Sequence, residues 1–101
     1  MSMSLVRAGA TVRATLSGEL TVDDVAEMHR ALGDVVDGET SLVIDAAEVA
    51  RLDVAAAQLV VATSHRVGAC RVEAASPAWS YAWSLLGLDA LGAPTEGGAL
   101  P

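Results

Sequence analysis

Alternating apolar and polar residues predict that the chain begins with two β-strands. In residues 11–16 every second residue is apolar, which is typical of a strand buried on one side. Residues 4–8 show the same alternation less clearly. A continuous apolar stretch at 41–45 instead predicts a central strand that is covered on both faces. Residues 70–74 predict a fourth strand.

Three further segments have the periodicity or the end signals of helices. Residues 21–36 carry apolar residues at spacings of three and four. Residues 54–67 are apolar nearly all round and follow Asp53, a favoured N-cap residue, so we expect a largely buried helix. Ser76 followed by Pro77 predicts the start of a third helix. The order β-β-α-β-α-β-α predicts an α/β fold with a mixed or mostly parallel four-stranded sheet.

Length and composition indicate one globular domain. The chain has 101 residues, of which 52% are apolar and only 3% aromatic, so the core must be built from Val, Leu, Ile and Ala. We expect the domain to span residues 1–91. Residues 92–101 are rich in Gly, Pro and Ala and are expected to form a flexible C-terminal tail.

Charge and cysteine content narrow the classes of partner and compartment. A net charge of −7 would repel a nucleic acid, and no basic stripe offsets it. The single cysteine, Cys70, allows no internal disulfide, which favours a reducing, cytoplasmic setting. The longest uncharged run, 74–88, is too short and too polar to span a bilayer, so we expect no direct membrane insertion.

The residues that could form a reaction centre are scattered along the chain. His29, His65 and Cys70 lie on different predicted elements, without the spacing of metal ligands. Ser64 and His65 are adjacent on a helix and therefore point in different directions, which disfavours a nucleophile–base pair. No glycine-rich phosphate loop is present. The sequence therefore predicts a non-enzymatic protein with no catalytic residue, no bound metal and no cofactor.

Two tryptophans on the third predicted helix leave two interpretations open. Trp79 and Trp83 are four residues apart and so share one helix face. They either pack on the sheet as part of the core or are partly exposed and contact another protein, because tryptophan is enriched in interface hot spots. A second copy of the chain, forming a homodimer, is one such partner.

Three stretches in the right order resemble the STAS domain family, the fold of sulfate transporters and anti-sigma factor antagonists. They are Leu-Ser-Gly-Glu-Leu-Thr at 16–21, Val-Ile-Asp-Ala-Ala-Glu-Val-Ala-Arg-Leu-Asp at 43–53, and Ser76-Pro77 followed by Leu-Leu-Gly-Leu-Asp at 85–89. The resemblance covers about 70 of 101 residues. It implies a STAS-like mixed sheet of four strands with about three helices.

The resemblance also implies how such a domain is regulated. In the family, the residue after the second acid, here Asp53, is often a Ser or Thr that an anti-sigma-factor kinase phosphorylates, and the phosphate blocks binding to that kinase. The equivalent residue here is Val54, which has no hydroxyl to accept phosphate. We therefore expect a variant that cannot be switched at this position, in bacterial signalling and transcription regulation.

The resemblance predicts a docking site for an anti-sigma factor or a histidine-kinase-like partner at the start of the second helix. Asp53 would cap and orient the helix, an apolar contact would follow it, and residues of the neighbouring helix starts would form the rim. The predicted partner-binding residues are Asp53, Val54, Ala55, Ala56, Gln58, Asp23 and Ser76.

The same helix start supports alternative partners. The stretch 53–59, Asp-Val-Ala-Ala-Ala-Gln-Leu, is similar to STAS proteins of chemotaxis clusters and of phospholipid-transport ABC systems. An accessory subunit that docks an ABC ATPase, or a chemotaxis-cluster STAS protein, is therefore the alternative function. A small hydrolase or ligand binder is a third interpretation, which the absence of a convergent nucleophile and base disfavours.

Overall fold

The computed structural model describes residues 1–87, and strands and helices follow one another in the predicted order. The elements are β1 (Ser2–Ala8), β2 (Thr11–Leu20), α1 (Val25–Gly33), β3 (Ser41–Leu52), α2 (Val54–Ser64), β4 (Ala69–Ala75) and α3 (Pro77–Leu85). A single 3-10 turn, Val22–Asp24, leads into α1. The predicted tail 92–101 and the predicted domain end at residue 91 lie outside the described residues.

The four strands form one mixed sheet in the order β1-β2-β3-β4. β1 runs antiparallel to β2, whereas β2, β3 and β4 are parallel to one another. Parallel neighbours need crossover connections, which α1 and α2 supply. The predicted α/β class and the mixed four-stranded sheet are both confirmed.

All three helices contribute buried side chains to one apolar cluster on one face of the sheet. Ala14, Ile44 and Val72 form its central row because they are register partners across β2, β3 and β4. Cys70 lies in the same cluster, and burial raises the pKa of its thiol to about 11. The core is built from small aliphatic residues together with a few larger side chains from α1 and α3.

The opposite face of the sheet carries mostly polar side chains. Arg13 and Arg71 flank Val43 in register on this face, and Arg13 forms an ion pair with Glu73. Because β3 lies between β2 and β4, this pair crosses β3 above Val43, which is only 6% exposed. Long charged side chains therefore cover Val43 on this face. The continuous apolar stretch at 41–45 had predicted that the strand would be covered on both faces.

β3 extends seven residues beyond its predicted end at Asp45. Its second half remains paired with β2, since Gly18 is the partner of Val49 and Leu20 is the partner of Leu52. β4 ends earlier, opposite Ala46, and α3 packs against the remaining part of β3. The predicted loop between Asp45 and Asp53 is thus a strand.

Candidate functional site

The carboxyl ends of β2 and β3 meet at one edge of the sheet. Leu20 and Leu52 are register partners, and the Asp53 amide donates a hydrogen bond of 2.9 Å to the Leu20 carbonyl. Both strands then turn at once into helical segments, the 3-10 turn Val22–Asp24 and α2, which contact each other. In parallel sheets, this carboxyl edge is where binding sites are usually found.

Asp53 begins α2 through its backbone and not through its side chain. Its φ of −78° and ψ of 159° are typical of an N-cap, and its carbonyl accepts a hydrogen bond from the Ala57 amide at 2.9 Å. Its carboxylate makes no hydrogen bond to the helix amides; Oδ1 instead pairs with Arg51 Nε at 3.0 Å. The prediction that the Asp53 side chain caps α2 is therefore corrected, although Asp53 does occupy the N-cap position.

The first turn of α2 divides the predicted contact residues between solvent and core. Val54 is 52% exposed, Gln58 is exposed and Ala55 is partly exposed. Ala56 and Ala57 are fully buried, because residues two and three positions after Val54 turn towards the sheet in a helix of 3.6 residues per turn. Ala56 is thus a core residue and cannot contact a partner in this conformation, contrary to the prediction.

The neighbouring 3-10 turn is held by Asp24. Its carboxylate accepts hydrogen bonds from the Thr21 amide at 2.9 Å and the Thr21 hydroxyl at 3.2 Å. The bond from the Thr21 amide is the main reason that the pKa of Asp24 lies below its ordinary value. With Asp24 so engaged, Val22 is 63% exposed and Asp23 is exposed beside it.

Val22 is the surface residue that the sequence analysis missed. Its spacing to the apolar residues of 21–36 places it on the buried face of an ideal α-helix, but the 3-10 turn rotates it outward. We call the exposed residues at the two helix starts the carboxyl-edge patch; they are Val22, Asp23, Val54, Ala55 and Gln58.

Ser76 is buried and belongs to the scaffold. It is 7% exposed, and its hydroxyl accepts a hydrogen bond from the Trp79 amide at 3.0 Å while donating one to the Val49 carbonyl at 2.5 Å. The hydroxyl thus caps α3 and ties its start to β3. The prediction of Ser76 as a rim residue is corrected, whereas its predicted role as N-cap of α3 is confirmed.

The tryptophan pair packs inside the domain. Trp79 and Trp83 are both fully buried and stacked, with ring centroids 5.3 Å apart and planes 13° from parallel. The core interpretation of this pair is therefore confirmed, and the interface interpretation is wrong for these two side chains. The outer side of α3 instead exposes Tyr81 and Leu85.

A shallow groove of about 280 Å³ separates the exposed side of α3 from the end of β3. Its lining consists of Ala50, Arg51, Leu52, Ala78, Tyr81, Ala82 and Leu85. Arg51 is the sole charged residue in this lining, and its guanidinium is paired with Asp53. The groove holds no nucleophile with a base in reach.

Residues 1–87 contain neither a candidate metal site nor a candidate membrane span. No group of three His, Cys, Asp or Glu side chains in this range is arranged to hold a metal ion. None of the helices in the same range combines the length and apolar character needed to cross a bilayer.

Comparison with known proteins gives matches in family and in structure. A family model described as "Mlab, STAS domain" matches residues 3–93. The crystal structure of an anti-sigma factor antagonist from Mycobacterium paratuberculosis superimposes with a TM-score of 0.80 at 25% identity, over 94% of this chain and 84% of that one. The crystal structure of a protein named Mglu matches with a TM-score of 0.58 at 25% identity, over 69% of this chain but 19% of that one.

No curated protein sequence matches the chain. The family model nevertheless covers most of its length, and the structural match to the antagonist extends over both chains. The mixed four-stranded sheet with its three helices matches the fold of that antagonist. The chain belongs to the STAS domain family, and its structure resembles that of an anti-sigma factor antagonist.

Proposed function

We propose that this domain is a non-enzymatic, cytoplasmic interaction module that docks a histidine-kinase-like anti-sigma factor through the carboxyl-edge patch. The observation that carries the proposal is the exposure of Val54, directly after Asp53 at the start of α2. A branched apolar side chain with half its surface in water gains from being covered by a partner. The likeness to an anti-sigma factor antagonist over 94% of the chain supports the class of partner.

The other residues of the patch suit a small, specific contact. Val22 adds a second exposed apolar side chain, and Ala55 is small enough for a partner backbone to approach closely. Asp23 and Gln58 provide a polar rim, which sets orientation more than affinity. Ala56 and Ser76 are both buried and act only on the scaffold, Ala56 at the start of α2 and Ser76 at the start of α3.

Valine at position 54 makes this docking independent of phosphorylation at that residue. A phosphoserine there would add roughly −1.5 to −2 charges at a surface that binds through apolar contact. Val54 cannot accept a phosphate, so the partner-binding state is constitutive unless another site regulates it. Incubation with the partner kinase and ATP should therefore leave residues 53–57 unmodified by intact-mass and peptide mass spectrometry.

A non-enzymatic role also agrees with the chemistry of Cys70. The thiol lies in the apolar core, and burial raises its pKa to about 11, whereas a nucleophilic cysteine needs an accessible thiolate. Turnover of any substrate that disappeared in a Cys70→Ser variant of unchanged stability would contradict this part of the proposal.

Titration calorimetry with purified histidine-kinase-like anti-sigma factors from the source genome tests the docking surface. Val54→Asp should weaken binding by about 30-fold or more, because it places a charge at the centre of the apolar contact. Tyr81→Asp is the matched control, since Tyr81 is 70% exposed but lies on α3. Equal binding by wild type and Val54→Asp, with loss of binding in Tyr81→Asp, would move the interface to the groove.

An accessory role in a lipid-transport ABC system is the second candidate. The observation that favours it is the stretch 53–59, which resembles STAS proteins of such systems and of chemotaxis clusters. The same patch would then contact an ABC ATPase. Adding the domain to the purified ATPase of a neighbouring transporter should change its rate of ATP hydrolysis, and this change should be absent with Val54→Asp.

A further inference from the structure

The outer edge of β1 is an open strand edge. Within residues 1–87, β1 pairs with β2 on one side and has no strand on the other. Its seven residues are in regular register with β2, from Ser2 opposite Ser17 to Ala8 opposite Thr11, without a bulge. Backbone amides and carbonyls that point away from β2 are therefore aligned to receive another strand.

The usual devices that protect a strand edge are missing from β1. Residues 2–6 contain no charged residue and no proline. The one charged side chain of the strand, Arg7, folds back, with Nε donating to the Gly9 carbonyl at 3.1 Å and a guanidinium nitrogen donating to the Val35 carbonyl at 3.2 Å. It ties the hairpin to the segment after α1 and does not guard the edge.

The other edge strand, β4, differs from β1 because it has a bulge and two charged side chains. Its pairing with β3 shifts register at Asp45, so that Glu73 forms a bulge, and it carries Arg71 and Glu73 within seven residues. The chain leaves β4 through Ser76 and Pro77 into α3, which packs against the second half of β3. The contrast indicates that the regular, uncharged edge of β1 is not a general property of this sheet.

The side chains of β1 indicate what would pair with this edge. Met3 and Leu5 point towards the core but are only partly buried, because the apolar layer stops beyond them. Ser2, Ser4 and Val6 are exposed on the opposite face. A strand that completes the layer must carry apolar residues at alternate positions on the core side and little charge. β1 itself has this pattern.

We infer that β1 pairs antiparallel with β1 of a second copy, which joins two domains into a continuous eight-stranded sheet. A two-fold axis perpendicular to the sheet keeps the core-facing side chains of both copies on one face, so Met3 and Leu5 of each copy meet those of the other. The −7 charge of each copy does not oppose this contact locally, since Arg7 is the sole charge in Ser2–Ala8.

The contact between two β1 strands is small, so the dimer is expected to be weak. Two paired strands of seven residues bury less than the roughly 1,200–2,000 Å² of a standard stable interface, so the dimer should form with a dissociation constant of about 10–100 µM. The carboxyl-edge patch is formed by α2 and the 3-10 turn and takes no part in the contact. The dimer could therefore present two docking surfaces at once.

Light scattering coupled to size-exclusion chromatography, and sedimentation equilibrium, test this inference on the full chain. The wild-type mass should rise from 10.3 kDa towards twice that value with increasing concentration. The double variant Ser4→Lys/Val6→Lys should weaken dimerisation by about tenfold or more, because like charges would face each other across the two strands. Both residues are exposed, so the fold should be retained.

The control variant Ser80→Lys/Tyr81→Lys adds the same charges on the exposed side of α3 and should dimerise as the wild type does. Both variants reduce the net negative charge by the same amount. A general loss of charge repulsion between copies would therefore strengthen dimerisation in both variants, whereas a contact through β1 weakens it in the β1 variant alone. Hydrogen exchange supplies a measurement without mutation: amides in residues 2–8 should exchange several-fold more slowly at high protein concentration. A wild type that is monomeric at concentrations on the order of 1 mM, a control as impaired as the β1 variant, or unchanged exchange in β1 would overturn the inference.

Discussion

The helix starts at Asp53 and Ser76 look alike in sequence but differ in the structure. Both have a polar residue with extended backbone before an apolar helix. The Ser76 hydroxyl is buried and makes one hydrogen bond to its own helix and one to β3. The Asp53 carboxylate bonds to no helix amide, pairs with Arg51, and is followed by the exposed Val54.

The difference separates a scaffold position from the position that we propose for partner recognition. At Ser76 every polar atom of the side chain is used within the domain, so a change there acts on stability. At Asp53 the carboxylate makes no hydrogen bond to α2, and Val54, Ala55 and Gln58 remain at least partly exposed, so a partner could contact them. A consensus N-cap residue therefore does not by itself indicate which role a helix start has.

The largest effect on stability is expected from Ser76→Ala. The change removes the cap of α3 and the donor to the buried Val49 carbonyl, which together should cost about 2 kcal/mol of unfolding free energy. The melting temperature should fall by about 8–16 °C. Ser80→Ala is the control, since Ser80 is exposed in the same helix. Equal stability of the two variants would remove the distinction between the helix starts.

A smaller effect is expected from Asp53→Ala. The pair with Arg51, whose side chain is 62% exposed, contributes little, so chemical denaturation should show a change within about 0.5 kcal/mol. A double-mutant cycle with Arg51→Ala should give a coupling of similar or smaller size. A loss of about 1 kcal/mol or more in Asp53→Ala alone, independent of Arg51, would instead mean that the carboxylate caps α2.

The smallest effect concerns the third helix start, at Thr21. The Asp24 pKa is lowered mainly by the Thr21 amide, so the folded state favours the charged carboxylate. Its contribution to stability should be present above the ordinary pKa of 3.8 and lost as the pH falls through the lower folded value. Asp24→Asn should flatten this acid dependence in denaturation experiments, and Thr21→Val, which keeps the amide, should do so less. An unchanged acid profile in Asp24→Asn would contradict the assignment.

The order of elements was predictable because each has its own periodicity and end signals. The second half of β3, residues 46–52, was not predicted from the sequence, because its alanines have low strand propensity. Pairing with the end of β2 decides that conformation, and such pairing is not visible within one segment. The family resemblance, in turn, correctly indicated the mixed four-stranded sheet with three helices.

The position of the candidate site along the chain was predictable, but not which of its side chains are exposed. Spacing alone locates residues 53–58 at a helix start, but not which side chains of that turn face the sheet; Ala56 proved buried and Val54 exposed. The exposure of Val22 was not predicted, because the periodicity of an α-helix does not apply to a 3-10 turn. The burial of Trp79 and Trp83 required knowledge of how α3 lies against β3.

Every aromatic side chain of this protein lies on α3, since the 101 residues contain two tryptophans, one tyrosine and no phenylalanine. Near-ultraviolet circular dichroism and intrinsic fluorescence therefore report on this one helix, with the stacked indoles as the dominant chromophore. Far-ultraviolet signals report on the whole backbone. Unfolding curves that coincide by both methods would mean that α3 detaches only when the sheet itself melts.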